Sequence, residues 1–356
     1  MYQDLGIAAL SAPQAAVVFG VALGLAFGVL AERSGFCLRR SVVAGPERRA
    51  AAGVWLAAFA AALIGTQAAV AQDWISFADH RFMAADLPVV AVALGGGLFG
   101  AGMVLTRGCI SRLTVLSGTG NLRAALVMLV FALVALGTMR GVLAPPRLWL
   151  GEATVPLGQA VSLAALPGGG LLWAAVAGLG ALSIAARSGA GPRALTLGFA
   201  LGLLVPLGWV GTGVLLFDDF DPVVFQSLAF TSSSAETLFW LGAASSIPLG
   251  FGTGLVAGTV LGSLLSALPA RRFRWQSFET PAQTGRYMAG AALMGFGGTL
   301  AGGCTVGAGL SGTATLSVAA FLALGAMVAG GWATDRVLNG ARSAGVRGAR
   351  RPQPAE

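Results

Sequence analysis

The chain has no lysine, one histidine and three cysteines among 356 residues, and each shortage excludes a class of chemistry. Without lysine there is no Walker A loop, so nucleotide-driven pumping has no motif to use. His80 is the only histidine and lies in a loop, and no haem or quinone ligand set is present. Three cysteines with no CxxC spacing support neither a disulfide framework nor a zinc site, so free thiols are expected and no metal or cofactor is assigned. Charged residues make up 10% of the chain, and no Asp or Glu falls well inside an apolar run. The groups that proton relays and sodium sites use are therefore missing. Residues 1–13 lack a basic n-region, so the first apolar run is expected to stay as a span and not to be cleaved as a signal peptide.

What the chain has in abundance is apolar surface and glycine. Hydrophobic residues reach 56%, the mean hydropathy is +0.80 and there are 54 glycines, which places the chain among all-α integral membrane proteins. Gly20, Gly24 and Gly28 form one ladder and Gly250, Gly254, Gly258 and Gly262 a longer one. Such small-residue spacing lets helices pack closely in lipid.

Nine spans are expected, at about 14–31, 50–71, 88–106, 123–143, 169–186, 194–217, 237–267, 286–302 and 316–335, within one polytopic domain of residues 1–335. A basic cytoplasmic tail, 336–356, is expected to be disordered. The net charge of +8 suggests nucleic acid at first sight, but the arginines sit in clusters between apolar runs. With the N-terminus outside and the C-terminus inside, all but Arg81, Arg140 and Arg147 of the 22 arginines fall on the cytoplasmic side. That is the positive-inside pattern of a protein embedded in a lipid bilayer, with no nucleic-acid partner.

The most informative feature is a repeat. GGGLFGAGMVLTRGCISRLTVLSGTGNL, from Gly95 to Leu122, recurs from Gly290 to Leu316 as GAALMGFGGTLAGGCTVGAGLSGTATL. Cys109 aligns with Cys304 and Gly108 with Gly303, and with one residue of slack Ser117, Gly118 and Thr119 fall on Ser311, Gly312 and Thr313. A shorter copy ends the first span at Gly35-Phe36-Cys37. In the nine-span threading the two long copies are inverted, within pseudo-repeats of about 14–143 and 169–335. Inverted repeats with re-entrant helices mark transporters whose site lies near the membrane midplane. Ser-Gly-Thr before an apolar run reads as a helix start, whose free amides and positive dipole end suit an anion. A cysteine in apolar surroundings is by default an inert small hydrophobe. Three of them, each at the end of a Gly-rich helix, read instead as the soft, weakly donating lining of a path for sulfur-containing solutes.

GFC at residues 35–37, the RGC loop with LSGTGNL, LGFALGLLVPLGW at 197–209 and RYMAGAALMGFGGTLAGGCTVGAGLSG at 286–312 resemble the YeeE/YedE family of membrane transporters. The resemblance covers nearly the whole chain. It implies nine membrane-spanning helices plus short helices in an hourglass-like shape, and uptake of thiosulfate across the bacterial cytoplasmic (inner) membrane. It further implies a relay of S–H···S hydrogen bonds along Cys37, Cys109 and Cys304, and a separate small cytoplasmic sulfur-carrier protein as partner. Two other readings stand beside it: transport of a different small sulfur or selenium species, and a membrane thiol oxidoreductase in which Cys37 and Cys109 would meet.

Overall fold

The computed structural model describes residues 11–158, 160–218 and 221–349, with side chains to residue 339. The lead before residue 11 and the end of the tail, 350–356, lie outside the described residues. The described residues are mostly helical, and one pair of short strands among them joins Asp86–Leu87 to Val155–Pro156. The helices are α1 (Ala12–Ser34), α2 (Leu38–Val42), α3 (Arg48–Ala71), α4 (Val89–Leu105), α5 (Ile110–Gly118), α6 (Leu122–Arg140), α7 (Ala144–Gly151), α8 (Gly169–Ala186), α9 (Pro192–Val210), α10 (Phe230–Ala243), α11 (Phe251–Ala267), α12 (Pro281–Leu300) and α13 (Val318–Ala349). One π turn, Gly211–Leu215, extends α9, and another, Gly307–Gly312, follows Cys304. The backbone of α13 carries the first part of the basic tail to Ala349 as helix.

Among the described residues, seven segments are long and apolar enough to cross a bilayer: Ala12–Val42, Arg48–Ala71, Val89–Gly118, Leu122–Arg140, Gly169–Ala186, Pro192–Leu215 and Val318–Asn339. The protein is therefore an all-α membrane protein. Two of the expected spans differ from these. The run at 237–267 is not one helix but α10 and α11, interrupted at 244–250. Pro248 and Gly250 lie in that break, where proline biases the residue before it away from helix. Helix α12 is long enough, but Gln283, Thr284 and Arg286 in its first turns lower its hydropathy.

Glycine fixes how the helices meet. Gly20, Gly24 and Gly28 of α1 face the backbone of Phe251, Leu255 and Thr259, while Gly254, Gly258 and Gly262 of α11 face Val17, Val21 and Leu25. The two ladders thus pack on each other, and their rising register makes α1 and α11 parallel. Gly198 and Gly202 of α9 meet Val54 and Ala58 of α3 in the same parallel sense. Helix α8 instead runs antiparallel to α3, with Gly178 against Ile64 and Gly170 against Gln67. Gly96 and Gly100 set α4 parallel to α13 through Ala326, Met327 and Gly331.

The crossing of α4 and α12 is antiparallel and self-complementary. Gly95 approaches Gly297, and Gly102 approaches Gly290. In the sequence repeat Gly95 corresponds to Gly290 and Gly102 to Gly297, so each contact is the other with the copies exchanged. That reciprocity is the signature of a twofold axis through a contact.

A Cβ at Gly24 would collide with backbone atoms of α11, whereas one at Gly180 on α8 meets nothing within 4 Å. Gly24→Ala is expected to destabilise the protein by about 1–3 kcal/mol, the usual cost of overpacking. Gly180→Ala is expected to be neutral or stabilising by up to about 1 kcal/mol through helix propensity. Thermal midpoints in detergent measure both, and equal midpoints for Gly24→Ala and the unmodified protein would contradict this packing.

Candidate functional site

Each cysteine ends a helix–turn unit of the same design. The chain leaves α1 through Gly35 at φ 65°, leaves α4 through Arg107 at φ 61° and leaves α12 through Gly302 at φ 74°. In each case the left-handed residue stands two positions before the cysteine. Such a residue stops a helix and turns the chain back. After α12 the turn is closed by the Gly303 amide bonding the Gly298 carbonyl at 2.8 Å. Arg107 holds its conformation without being glycine, at a cost of roughly 1–2 kcal/mol.

A new helical segment then begins at the cysteine itself. Cys37 is the N-cap of α2 and Cys109 that of α5. The Cys304 carbonyl accepts from the amides of Ala308 and Gly309, and its Sγ accepts from the Gly307 amide at 3.3 Å. The helix starts expected at Ser-Gly-Thr therefore lie earlier, at the thiols. Ser117 and Gly118 are the last residues of α5, Thr119 is its C-cap, and both hydroxyls donate to carbonyls behind them. Ser311 donates to the Leu228 carbonyl and Thr313 to the Gly309 carbonyl. The caps that follow are Asn121 for α6, accepting from the Ala124 amide, and Ser317 for α13, accepting from the Ala320 amide. Ser-Gly-Thr was misleading because residues with good N-cap chemistry stood a few positions further on, in position to take the role. Gly118 and Gly312 serve packing: a Cβ at Gly118 would strike Val260 of α11, and one at Gly312 would press on Phe82.

Both long loops turn inward. Gly95 lies opposite Leu300, where α12 ends, while α4 continues ten residues to Leu105. The two loops thus leave their helices at levels roughly 15 Å apart along the axis, at 1.5 Å per residue. Even so, the Cys109 thiol comes within interaction range of Thr305, the residue after Cys304, and of the Cys37 thiol. Cys109 Sγ also lies 3.3 Å from Ser111 Oγ. The 17 residues of α4 rise about 25 Å, less than the roughly 30 Å of a hydrocarbon core. All three thiols are free and buried, at 3%, 1% and 0% exposure for Cys37, Cys109 and Cys304.

A cavity of about 580 Å³ opens on one side of this centre. Ser76, residues 79–82, Trp209, residues 224–229 and Ser232 line it, and Gly307 and Ser311 belong to its wall. A Cβ at Gly307 would stand 3.8 Å from Cys304 Sγ, so cavity and third thiol adjoin. Arg81 has no carboxylate within 4 Å among the described residues, and its guanidinium lies over the Phe82 ring at 4.9 Å. The surrounding protein lowers its pKa although its surface is open to solvent. Burial, with Arg81 alongside, takes His80 down to about 4, and its Nδ1 accepts from the Phe82 amide at 3.3 Å. The imidazole is therefore neutral at neutral pH, and Arg81 is the lining's one cation. On the far side, Arg39 and Arg112 lie within electrostatic range of Cys37, and Arg107 and Asp335 within that of Arg39. Arg112 is held by the Ala31 carbonyl at 3.1 Å.

Sequence reasoning placed the three cysteines but missed this cavity. Its lining comes from connecting segments without periodicity, and only the isolated His80-Arg81 pair stood out there.

Over residues 33–333 the chain matches the family described as Sulphur transport. It is 28% identical over 273 residues to the thiosulfate transporter TsuA of Spirochaeta thermophila, which covers 71% of this chain and 78% of that relative. It is 36% identical over 105 residues, 30% of each chain, to the thiosulfate transporter TsuA of Escherichia coli. With the three buried thiols inside the matched span, the chain belongs to the Sulphur transport family and is a membrane transporter of sulfur compounds, not an enzyme.

Proposed function

We propose that the protein takes up thiosulfate across a bacterial cytoplasmic membrane, along a path from the cavity at Arg81 past Cys304, Cys109 and Cys37 to the arginines beyond. The observation that carries this reading is that three buried thiols end helices in turns of one design, with Cys37 and Thr305 both within interaction range of Cys109. The relatives named as thiosulfate transporters support the substrate. Thiols suit its soft terminal sulfur, while Arg81 draws the dianion into the cavity.

Nine passes with the N-terminus outside agree with every helix direction set by the glycine contacts. Odd-numbered passes α1, α4, α11 and α13 are parallel where they touch, as are even-numbered α3 and α9, while α4 with α12 and α3 with α8 are antiparallel. The same contacts favour repeats of α1–α6 and α9–α13, with α8 as an extra pass between them and the second copy starting at Pro192 instead of 169. This threading puts the cavity outside and Arg39, Arg107 and Arg112 inside. A separate cytoplasmic sulfur carrier would take the anion there.

The approach of Cys37 to Cys109 also meets the requirement of a thiol-exchange mechanism. Transport and exchange are separated by trapping thiols during turnover with a disulfide substrate: exchange would reduce that disulfide to two thiols and leave a Cys37–Cys109 disulfide, whereas the relay leaves both cysteines alkylatable.

Growth on thiosulfate as sole sulfur source, compared with sulfate, tests the substrate. Cys109→Ala and Cys304→Ala are each expected to abolish uptake while the protein still inserts, and the double variant to be no worse, because the steps lie in series. Normal uptake by a well-expressed Cys304→Ala protein would remove the thiol from the path. Arg81→Gln is expected to raise KM several-fold with little change in maximal rate, since it acts on capture. With His80 neutral, the uptake profile should show no inflection near pH 6.5. An unchanged KM would place capture elsewhere.

A further inference from the structure

The two loops differ at the residue after the cysteine: Ile110 follows Cys109 and Thr305 follows Cys304. Both are almost fully buried, at 0% and 1% exposure. The hydroxyl of Thr305 has no hydrogen-bond partner of normal geometry, although the Cys109 thiol lies within interaction range. Threonines inside helices here bond a carbonyl four residues back, as Thr114, Thr259, Thr299 and Thr313 do, but Thr305 directly follows Cys304 and has only the turn that ends α12 behind it. A buried polar group left unmatched is destabilising. Other buried hydroxyls also lack a partner, namely Thr66, Thr231, Ser234 and Thr253. Thr305 is the one that adjoins one path thiol in sequence and faces another in space.

We propose that Thr305 is a substrate-contacting, specificity-determining residue, whose hydroxyl donates to an oxygen of the passing anion between Cys304 and Cys109. The proposal rests on the path described above and adds what the thiols lack. Thiosulfate has one soft sulfur end and one hard sulfonate end. A thiol is a weak donor suited to the first. An O–H donor suits the second, and hydrogen bonds to charged groups are among the stronger ones. Ser111 Oγ, 3.3 Å from Cys109 Sγ, gives a second hydroxyl beside the same thiol. The anion would thus pass with its sulfur along the thiols and its oxygens along Thr305 and then Ser111.

The test is radiolabelled thiosulfate uptake by Thr305→Val, Thr305→Ser and, in the same assay, Cys304→Ala, together with thermal midpoints in detergent. Valine keeps the shape and removes the hydroxyl. The expected result is a roughly ten- to hundredfold fall in maximal uptake for Thr305→Val, the factor one hydrogen bond to a charged group represents. Its thermal midpoint should be unchanged or higher, and Thr305→Ser should restore transport. Normal uptake by Thr305→Val would overturn the proposal, as would a loss of uptake matched by a lower midpoint. If Cys304→Ala transports normally, the thiol path is wrong, whereas a dead Cys304→Ala beside an active Thr305→Val rejects the role of Thr305 alone.

Discussion

The crossing of α4 and α12 is the contact on which the rest of the structure depends. Gly95 against Gly297 and Gly102 against Gly290 bring the two backbones to a separation that no side chain would allow. In lipid, close packing of small residues takes the place of the hydrophobic effect as the force between helices. Because the contact is antiparallel and reciprocal, the loops that follow each helix leave from opposite ends and turn back towards each other.

Two loops that meet inside a bilayer face an electrostatic problem. Non-helical backbone at that depth is tolerated only when it is buried in protein or lines a polar cavity, and both conditions hold here: all three cysteines are buried and one loop borders the cavity. A dianion in the same region would lose far more hydration than weak S–H donors return. The helix that starts at Cys109 has no side-chain cap and offers the positive end of its backbone dipole, while at Cys304 the Gly307 amide is already bonded to the thiol sulfur. In the proposed path the thiols would choose among anions without carrying the main burden of stabilising them. Arginines stand at both ends, Arg81 in the cavity and Arg39, Arg107 and Arg112 beyond Cys37.

Much of this was legible in the residues. Composition gave the class, and the Gly-Cys repeat marked turns of one design at Cys37, Cys109 and Cys304, because the left-handed backbone at Gly35 and Gly302 favours glycine. The glycine ladders were legible as packing surfaces, yet a ladder does not name its partner, and the pairing of Gly24 with Leu255 and Thr259 needed coordinates. The break between α10 and α11 was hidden by continuous hydropathy, although Pro248 stood in it. Ser117 and Ser311 were misread because a Ser-Gly-Thr sequence is compatible with either end of a helix. Thr305 escaped notice because a change from Ile to Thr between repeats looks unremarkable until its hydroxyl is found without a partner.

The central claim is that the two cysteine loops enter from opposite faces of the membrane, with the cavity outside. Side-specific labelling tests it most directly, in a protein whose three native cysteines are replaced and which carries either Asp79→Cys, at the cavity, or Ser277→Cys, between α11 and α12. Both positions are exposed. A membrane-impermeant maleimide applied to intact cells stripped of their outer barrier should label Asp79→Cys and leave Ser277→Cys unlabelled until the membrane is permeabilised. Labelling of both positions from the same side would contradict the inverted arrangement.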